Sequence, residues 1–222
     1  MSYFSRYQHS FLSFVLIVCA SLICSNAMAD EVNRNDPYEM MKQVSELTFE
    51  RFHQDQALIK EDPNHLKVIV REEMMPYVDG PYASYKVLGR YLRQTTKPQR
   101  DAFVEAFSDY MITTYAQAFT EYTNQRVTFA PAQDFSQQKI VSVGVNIVES
   151  GRPDIKLQFK ARRLKNGEWR AFDMVAEGVS LLASRQSEIG AMIRREGIDK
   201  VIEELASKGD IDIRPKQTRK AN

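Results

Sequence analysis

The sequence predicts an α+β fold, with helices packed on one curved antiparallel sheet of about four strands that encloses an apolar cavity. Two changes of period predict it. Apolar residues recur at helical spacing from Asp36 to Tyr122 and at alternate positions from Arg126 to Val175, then return to helical spacing from Leu182 to Ser207. No internal repeat and no dividing linker interrupts this order, so residues 30–210 are expected to form a single domain.

The opening segment is expected to be removed. Arg6 and His9 form a weakly basic start, Phe11 to Ile23 is an apolar run of 13 residues, and Ala27-Met28-Ala29 offers small residues at a peptidase site. A membrane span needs about 20 apolar residues, so residues 1–29 read as an export signal cleaved after Ala29. Periplasmic localisation is the expectation. Of the 30 Lys+Arg, only Arg6 lies in the leader, and none of the 29 Asp+Glu does, so the mature chain is formally neutral. Both cysteines, Cys19 and Cys24, leave with the leader, which excludes a disulfide, a thiolate metal site and a cysteine nucleophile. Neutrality also argues against a nucleic-acid partner.

Each element has its own signal. Asp36-Pro37-Tyr38-Glu39 starts a helix whose stripe of Met40, Val44, Leu47 and Phe52 runs to about Lys60. Asp62-Pro63 opens a second helix, disturbed at Pro76 and stopped by Asp79-Gly80-Pro81, the candidate hinge. A third carries Tyr85, Leu88, Tyr91 and Leu92. Thr96 and Gln99 form a capping box for the longest helix, about Lys97 to Tyr122, striped by Phe103, Phe107, Tyr110, Met111, Tyr115, Phe119 and Tyr122. Strands are expected at Arg126–Ala130, Lys139–Glu149, Ile155–Arg162 and Glu168–Val175, with a turn at Ser150-Gly151-Arg152-Pro153 and an Asn166-Gly167 hairpin. Gly144 suggests a bulge inside the second strand. Two helices, about Leu182–Glu196 and Ile198–Ser207, precede a polar tail, residues 211–222, expected to be disordered.

Catalytic signatures are sparse. His53 and His65 sit on different expected helices without zinc spacing, and no phosphate loop or dinucleotide fingerprint occurs. Gly178-Val179-Ser180 begins like a nucleophile elbow, but Leu182 takes the place of its second glycine. Asp173 and Glu177 read as a strand-end partner and a helix cap. No catalytic residue, metal or cofactor is expected. What the mature chain has instead is 9 Phe, 8 Tyr, 7 Met and the single Trp, adaptable side chains suited to lining a cavity for a flexible apolar ligand. Gly89, inside a helical pattern, leaves room for a close approach.

Several segments carry a resemblance. Trp169-Arg170-Ala171-Phe172-Asp173-Met174-Val175-Ala176-Glu177-Gly178-Val179-Ser180 is similar to the sheet-to-helix signature of the MlaC family of periplasmic phospholipid-binding proteins, the toluene-tolerance type. Met75-Pro76-Tyr77-Val78-Asp79 and Leu88-Gly89-Arg90-Tyr91, followed by Thr96, Gln99-Arg100, Phe103 and Phe107, resemble further family segments. Lys97-Pro98 departs slightly, since members often place the proline directly after the threonine. The likeness runs from Asp36 to about Leu205.

The resemblance implies an NTF2-like fold and a carrier of phospholipid in the Mla pathway. Such a carrier runs between an outer-membrane lipoprotein–porin complex and the substrate-binding subunit ring of an inner-membrane ABC transporter, and maintains outer-membrane lipid asymmetry. Tail-binding candidates are Tyr77, Val78, Leu88 and Tyr91, then Phe103, Phe107, Tyr110, Met111 and Tyr115 on the longest helix. On the strands they are Val143, Val145, Ile147 and Phe159, then Trp169, Met174 and Val175. Arg90, Arg93, Arg162 and Arg163 are candidates for head-group or partner contacts. Two tails of about 16 carbons carry ~30 methylenes, and exposing them to water costs about 25 kcal/mol, so a carrier must keep them largely dry. Two other classes stay open: a periplasmic enzyme using Asp173 or Glu177 in an NTF2-like cavity, and an adaptor with a filled core that binds no lipid.

Overall fold

In the computed structural model, residues 31–122, 125–148, 151 and 153–215 are described. The expected leader lies outside them, as do Ser150 and Arg152 of the expected turn and residues 216–222 of the expected tail.

The chain opens with helix α1 (Pro37–Gln54), whose Asp36 side chain accepts hydrogen bonds from the amides of Tyr38 and Glu39 at 2.8 and 3.1 Å. Two N-terminal donors are thereby satisfied. The helix ends at Gln54 rather than near Lys60, and α2 (Gln56–Glu61) is a separate short helix. Helix α3 (His65–Ile69) passes into a π-helical turn at Val70–Met74 and a 3₁₀ turn at Met75–Tyr77. Pro76 has no amide to donate, and the widened turn before it is where the α-helical ladder gives way.

Helix α4 (Gly80–Leu88) is capped by Asp79 and followed by a 3₁₀ segment, Gly89–Gln94. The longest helix, α5 (Lys97–Phe119), begins in the expected capping box: the Thr96 amide donates to Gln99 Oε1 at 3.0 Å and the Gln99 amide to Thr96 Oγ1 at 3.4 Å.

The sheet is an antiparallel meander in the order β1-β2-β3-β4-β5. Its strands are β1 (Arg126–Phe129), β2 (Ile140–Val148), β3 (Ile155–Arg163), β4 (Trp169–Ala176) and the two-residue β5 (Val179–Ser180), one more than expected. The β3–β4 loop places only Gly167 at positive φ, 92°, and its amide donates to the Leu164 carbonyl. This is a three-residue loop rather than a two-residue Asn-Gly turn. The two-residue loop lies instead between β4 and β5, where Glu177 and Gly178 have φ of 48° and 82°.

The bulge is also elsewhere. Register runs unbroken through Gly144, opposite Gln158, and shifts between β3 and β4, where Lys160 pairs with Asp173 and Ala161 with Ala171. Phe172 is the extra residue. Gly144 instead makes room for Ala130, whose side chain would lie 3.1 Å from an added Cβ.

Helices α6 (Leu181–Glu196) and α7 (Ile198–Gly209) complete the fold. Gly89, at φ 51°, ends α4 where Gln186 of α6 crosses; Gln186 Nε2 donates to the Lys86 carbonyl at 2.7 Å and sits 2.6 Å from where a Cβ would be. The expected close approach at this glycine is therefore a helix–helix contact. Among residues 211–215, Ile213 is buried, its amide bonds to Asn64 Oδ1, and the Arg214 amide bonds to Gln117 Oε1. This stretch of the expected tail is packed on the domain.

Three apolar clusters hold the unit. The first is all helical, with Val87, Leu88, Phe103, Phe107, Ile189, Ile193, Val201 and Leu205 from α4 to α7. The second joins Met40, Met41 and Val44 of α1 to Val141, Val143, Ala161 and Trp169 of the sheet. The third gathers Phe52, Leu66, Ile69, Val70, Ile112 and Ala116 with Ile213. Helix α1 thus packs on the sheet face that carries Val141, Val143 and Trp169.

Candidate functional site

A groove of about 730 Å³ opens to solvent between α1, the end of α5 and β1. Its floor is Phe49, Tyr122, Val127 and Phe129, and its rim Lys42, Ser45, Glu46, Glu50, His53, Gln54 and Gln125. On α1 these positions fall three and four apart, so one helix stripe supplies both an aromatic contact and a charged border. On β1, Val127 pairs with Ile147 and Phe129 with Val145. The groove's sheet side therefore continues the expected wall of β2.

The floor is a lattice of rings. Phe49 and Tyr122 have centroids 4.7 Å apart, Phe52 and Phe119 4.8 Å, and Phe49 and Phe52 meet edge to face at 6.0 Å. His53 approaches Tyr122 at 6.4 Å. Burial raises the Tyr122 phenol above its ordinary range. Phe129 packs on the second cluster and Phe49 with Tyr122 on the third, so the groove sits over the junction of two cores.

A second space lies between α5, β4 and α6, and it is nearly closed, at about 50 Å³. Phe107, Tyr110, Met111, Tyr115, Phe172, Met174, Leu181 and Leu182 line it, with Thr114, Asp173 and Arg185 as its polar members. Burial, with the Asp173 carboxylate adding to it, pushes the Tyr115 phenol up to about 12. The groove and this smaller space are separate, one between α1, the α5 end and β1, the other between α5, β4 and α6. Helix α5 makes no extensive backbone approach to the sheet, and the side chains between them close the gap.

The expected tail-binding residues separate accordingly. Leu88, Tyr91, Phe103 and Phe107 belong to the helical cluster, with Phe103 and Phe107 stacked at 5.8 Å. Val143, Phe159, Trp169 and Tyr77 pack in the α1–sheet cluster, and Val78 bridges to Ala171. Val145 and Ile147 stand behind the groove through their β1 partners, Val175 is buried on β4, and Tyr110, Met111, Tyr115 and Met174 meet at the nearly closed space. Reading the sequence missed Phe49, Val127 and Phe129 as groove residues. The usable signal was Phe49 three residues before Phe52, which widens the α1 stripe toward the strands.

Two of the four arginine candidates make contacts within the fold. Arg163 donates to the carbonyls of Ser136 and Phe135 at 2.9 and 2.7 Å and lies over the Trp169 ring. Arg162 lies 4.2 Å over the Tyr82 ring and 3.2 Å from Asp79 Oδ2. Arg90 and Arg93 are exposed. The Asp79-Gly80-Pro81 hinge candidate is tied to the sheet, since the Asp79 amide donates to the Ala171 carbonyl at 2.7 Å and its carboxylate caps α4 and meets Arg162.

The acidic candidates exchange roles. Asp173 accepts from Ser180 Oγ at 2.8 Å and from the Leu182 amide at 3.1 Å, and pairs with Lys160 Nζ at 3.2 Å. It is an anchor for the start of α6. Glu177 is the turn residue, and its carboxylate accepts the Lys156 amide at 2.7 Å. Both carboxylates are engaged by backbone donors, an arrangement that holds the sheet-to-helix corner together. Among the described residues, no cluster of three or more His, Cys, Asp or Glu could hold a metal ion, and no helix is long and apolar enough to cross a membrane.

The chain matches known proteins along most of its length. It is 36% identical over 196 residues to the intermembrane phospholipid transport system binding protein MlaC of Haemophilus influenzae, covering 87% of this chain and 89% of that one. It is 25% identical over 147 residues to the toluene tolerance protein ttg2D of Pseudomonas putida, covering 65% and 67%. A phospholipid-binding protein from Ralstonia solanacearum, solved in complex with a phospholipid, shares the fold with a TM-score of 0.70 at 19% identity, over 78% of this chain and 97% of that one. The sequence model of the MlaC protein family matches residues 42–207, from the groove stripe of α1 to the end of α7, and the chain belongs to the MlaC family.

Proposed function

We propose that this protein is a periplasmic carrier that binds phospholipid by its tails and hands it between membrane complexes. The observation that carries the reading is the groove of about 730 Å³, with its aromatic floor and charged rim, above the junction of two cores. Its volume lies within the usual range for small-ligand sites, roughly 300–1,000 Å³. The tails would pass over Phe49 and Tyr122 and enter by parting the rings beneath. The head group would stay at the rim, in water, near Lys42, His53 and Gln54. Tail burial then supplies the affinity, at ~0.8 kcal/mol for each methylene.

The relatives' names support this reading: one is a binding protein of an intermembrane phospholipid transport system, and the fold neighbour was solved with a phospholipid. Partners follow from the same family: the substrate-binding subunit ring of an inner-membrane ABC transporter and an outer-membrane lipoprotein–porin complex. The chain's part is carriage, not chemistry, and the engaged state of Asp173 favours a carrier over an enzyme. Solvent extraction of the purified protein followed by mass spectrometry tests it. A stoichiometric phospholipid is expected; a lipid-free protein that also takes up none from vesicles contradicts it.

A further inference from the structure

The charges of the chain balance overall but not locally. Residues 80–100 hold Lys86, Arg90, Arg93, Lys97 and Arg100 and no acid at all. They form α4, the 3₁₀ segment behind it and the first turn of α5. Lys97 alone among them pairs with a carboxylate, Asp101, at 2.5 Å. Lys86, Arg90 and Arg93 are exposed, and the side-chain charges of the first two lie over the Tyr82 and Tyr91 rings of their own segment.

The sheet extends this face. Tyr82 of α4 carries Lys86 Nζ at 5.6 Å and Arg162 at 4.2 Å from its ring centroid, which brings β3 beside α4. Arg170 of β4 is the direct cross-strand partner of Arg162, and Ile140 of β2, 49% exposed, stands opposite Arg162 on the other side. Like charges side by side on a sheet are destabilising. Asp79 offsets Arg162, but Arg170 meets no acid among the described residues, and its Nε is buried without a hydrogen-bond partner. Among the described residues Asp79 is the one carboxylate paired with these two guanidiniums.

We propose that this face, from Arg93 through Lys86 to Arg162 and Arg170, is a docking surface for an acidic protein surface. A protein fits better than an anionic bilayer. The guanidinium of Arg162 is fixed by Asp79 and Tyr82, which suits carboxylates at set positions. The patch offers half-exposed Tyr85 and Ile140 rather than a continuous apolar face that could enter lipid. Tyr and Arg beside a small apolar contact is the composition of an interface centre. The inference rests on the carrier reading for its choice of partners, because a carrier has to dock before it can hand over its cargo.

The test uses the full chain, the purified transporter subunit ring and lipoprotein–porin complex of the same organism, and vesicles containing phosphatidylglycerol. Binding is measured at about 0.05 M and about 0.3 M salt. Wild-type binding to at least one complex should weaken with salt. The double variant Lys86→Glu/Arg90→Glu should bind that complex about tenfold less or worse, Arg170→Glu should shift it the same way, and Lys60→Glu, on α2, should not. The exposed pair keeps the test decisive if Arg170→Glu fails to fold. Equal binding by variant and wild type overturns the proposal, as does wild-type binding to neither complex. Loss of vesicle binding alone overturns it in favour of a membrane-facing role. Lipid content, measured on the same preparations, reports separately on the carrier reading: lost docking with full lipid load supports both.

Discussion

Phe49 of α1 and Tyr122, just past the end of α5, meet in a tilted ring contact with centroids 4.7 Å apart on the floor of the groove. The contact joins the helix that covers the sheet to the helix that anchors the other helices. Directly beneath it Phe52 and Phe119 meet at 4.8 Å, so all four rings belong to one apolar cluster.

Substituting Val127 by Arg places a charge on the groove floor at a half-buried strand-edge position. The expected result is a folded, exported protein with lipid content reduced several-fold. Mass spectrometry of extracted lipid, with circular dichroism as the folding control, checks it.

Phe103 is fully buried and stacked on Phe107 in a cluster made only of helices. Phe103→Ala should cost about 3–5 kcal/mol, lowering the thermal midpoint by roughly 10 °C in a domain of this size. By the same packing, Phe107→Asp should unfold the protein rather than selectively empty it of lipid. Thermal melts followed by circular dichroism decide both.

Asp173→Ala leaves the Leu182 amide, the Ser180 hydroxyl and Lys160 without their common acceptor. A loss of about 3 kcal/mol is expected. Asp173→Asn, which keeps an acceptor oxygen, should recover part of it. Denaturant titration of the three proteins measures the series.

The Tyr115 phenol titrates at about 12 in the folded chain against an ordinary 10.0. Its contribution to stability is therefore complete below pH 10 and declines as pH rises toward 12, because the unfolded chain ionises first. Difference absorbance between wild type and Tyr115→Phe should show no phenolate from this residue until well above pH 10.

Asp55 behaves in the opposite sense. Hydrogen bonds from His65 and then Arg51 hold its carboxylate below the ordinary 3.8. The stabilisation is present above that value and is lost as pH falls through the folded-state value. The difference in thermal midpoint between wild type and Asp55→Asn should be largest near neutral pH and shrink below about pH 4.

Local signals were legible in the sequence, and tertiary ones were not. Asp36 and Thr96 cap α1 and α5 because capping is written in the three residues that follow each of them. Alternation located four strands, since one-sided burial leaves a period of two. The same logic failed at Phe172-Asp173, where a bulge puts one extra residue into β4; consecutive buried residues look like noise until the register of β3 is known. The choice between α1 and α5 as cover for the sheet was equally hidden. Both carry apolar stripes of helical period, and only the positions of Trp169 and Val143 against Met40 and Val44 separate them. That choice decided where the groove lies, and so the candidate residues of α5 and β2 fall in different clusters.

A phospholipid carrying a photoreactive diazirine near the end of one tail tests the central claim most directly. Loaded into the protein, irradiated and mapped by peptide mass spectrometry, it should label Phe49, Tyr122, Val127 or Phe129, or the rings of Phe52 and Phe119 directly beneath. Labelling confined to other surfaces, or to the α5–α6 space around Phe107 and Leu182, would contradict the account.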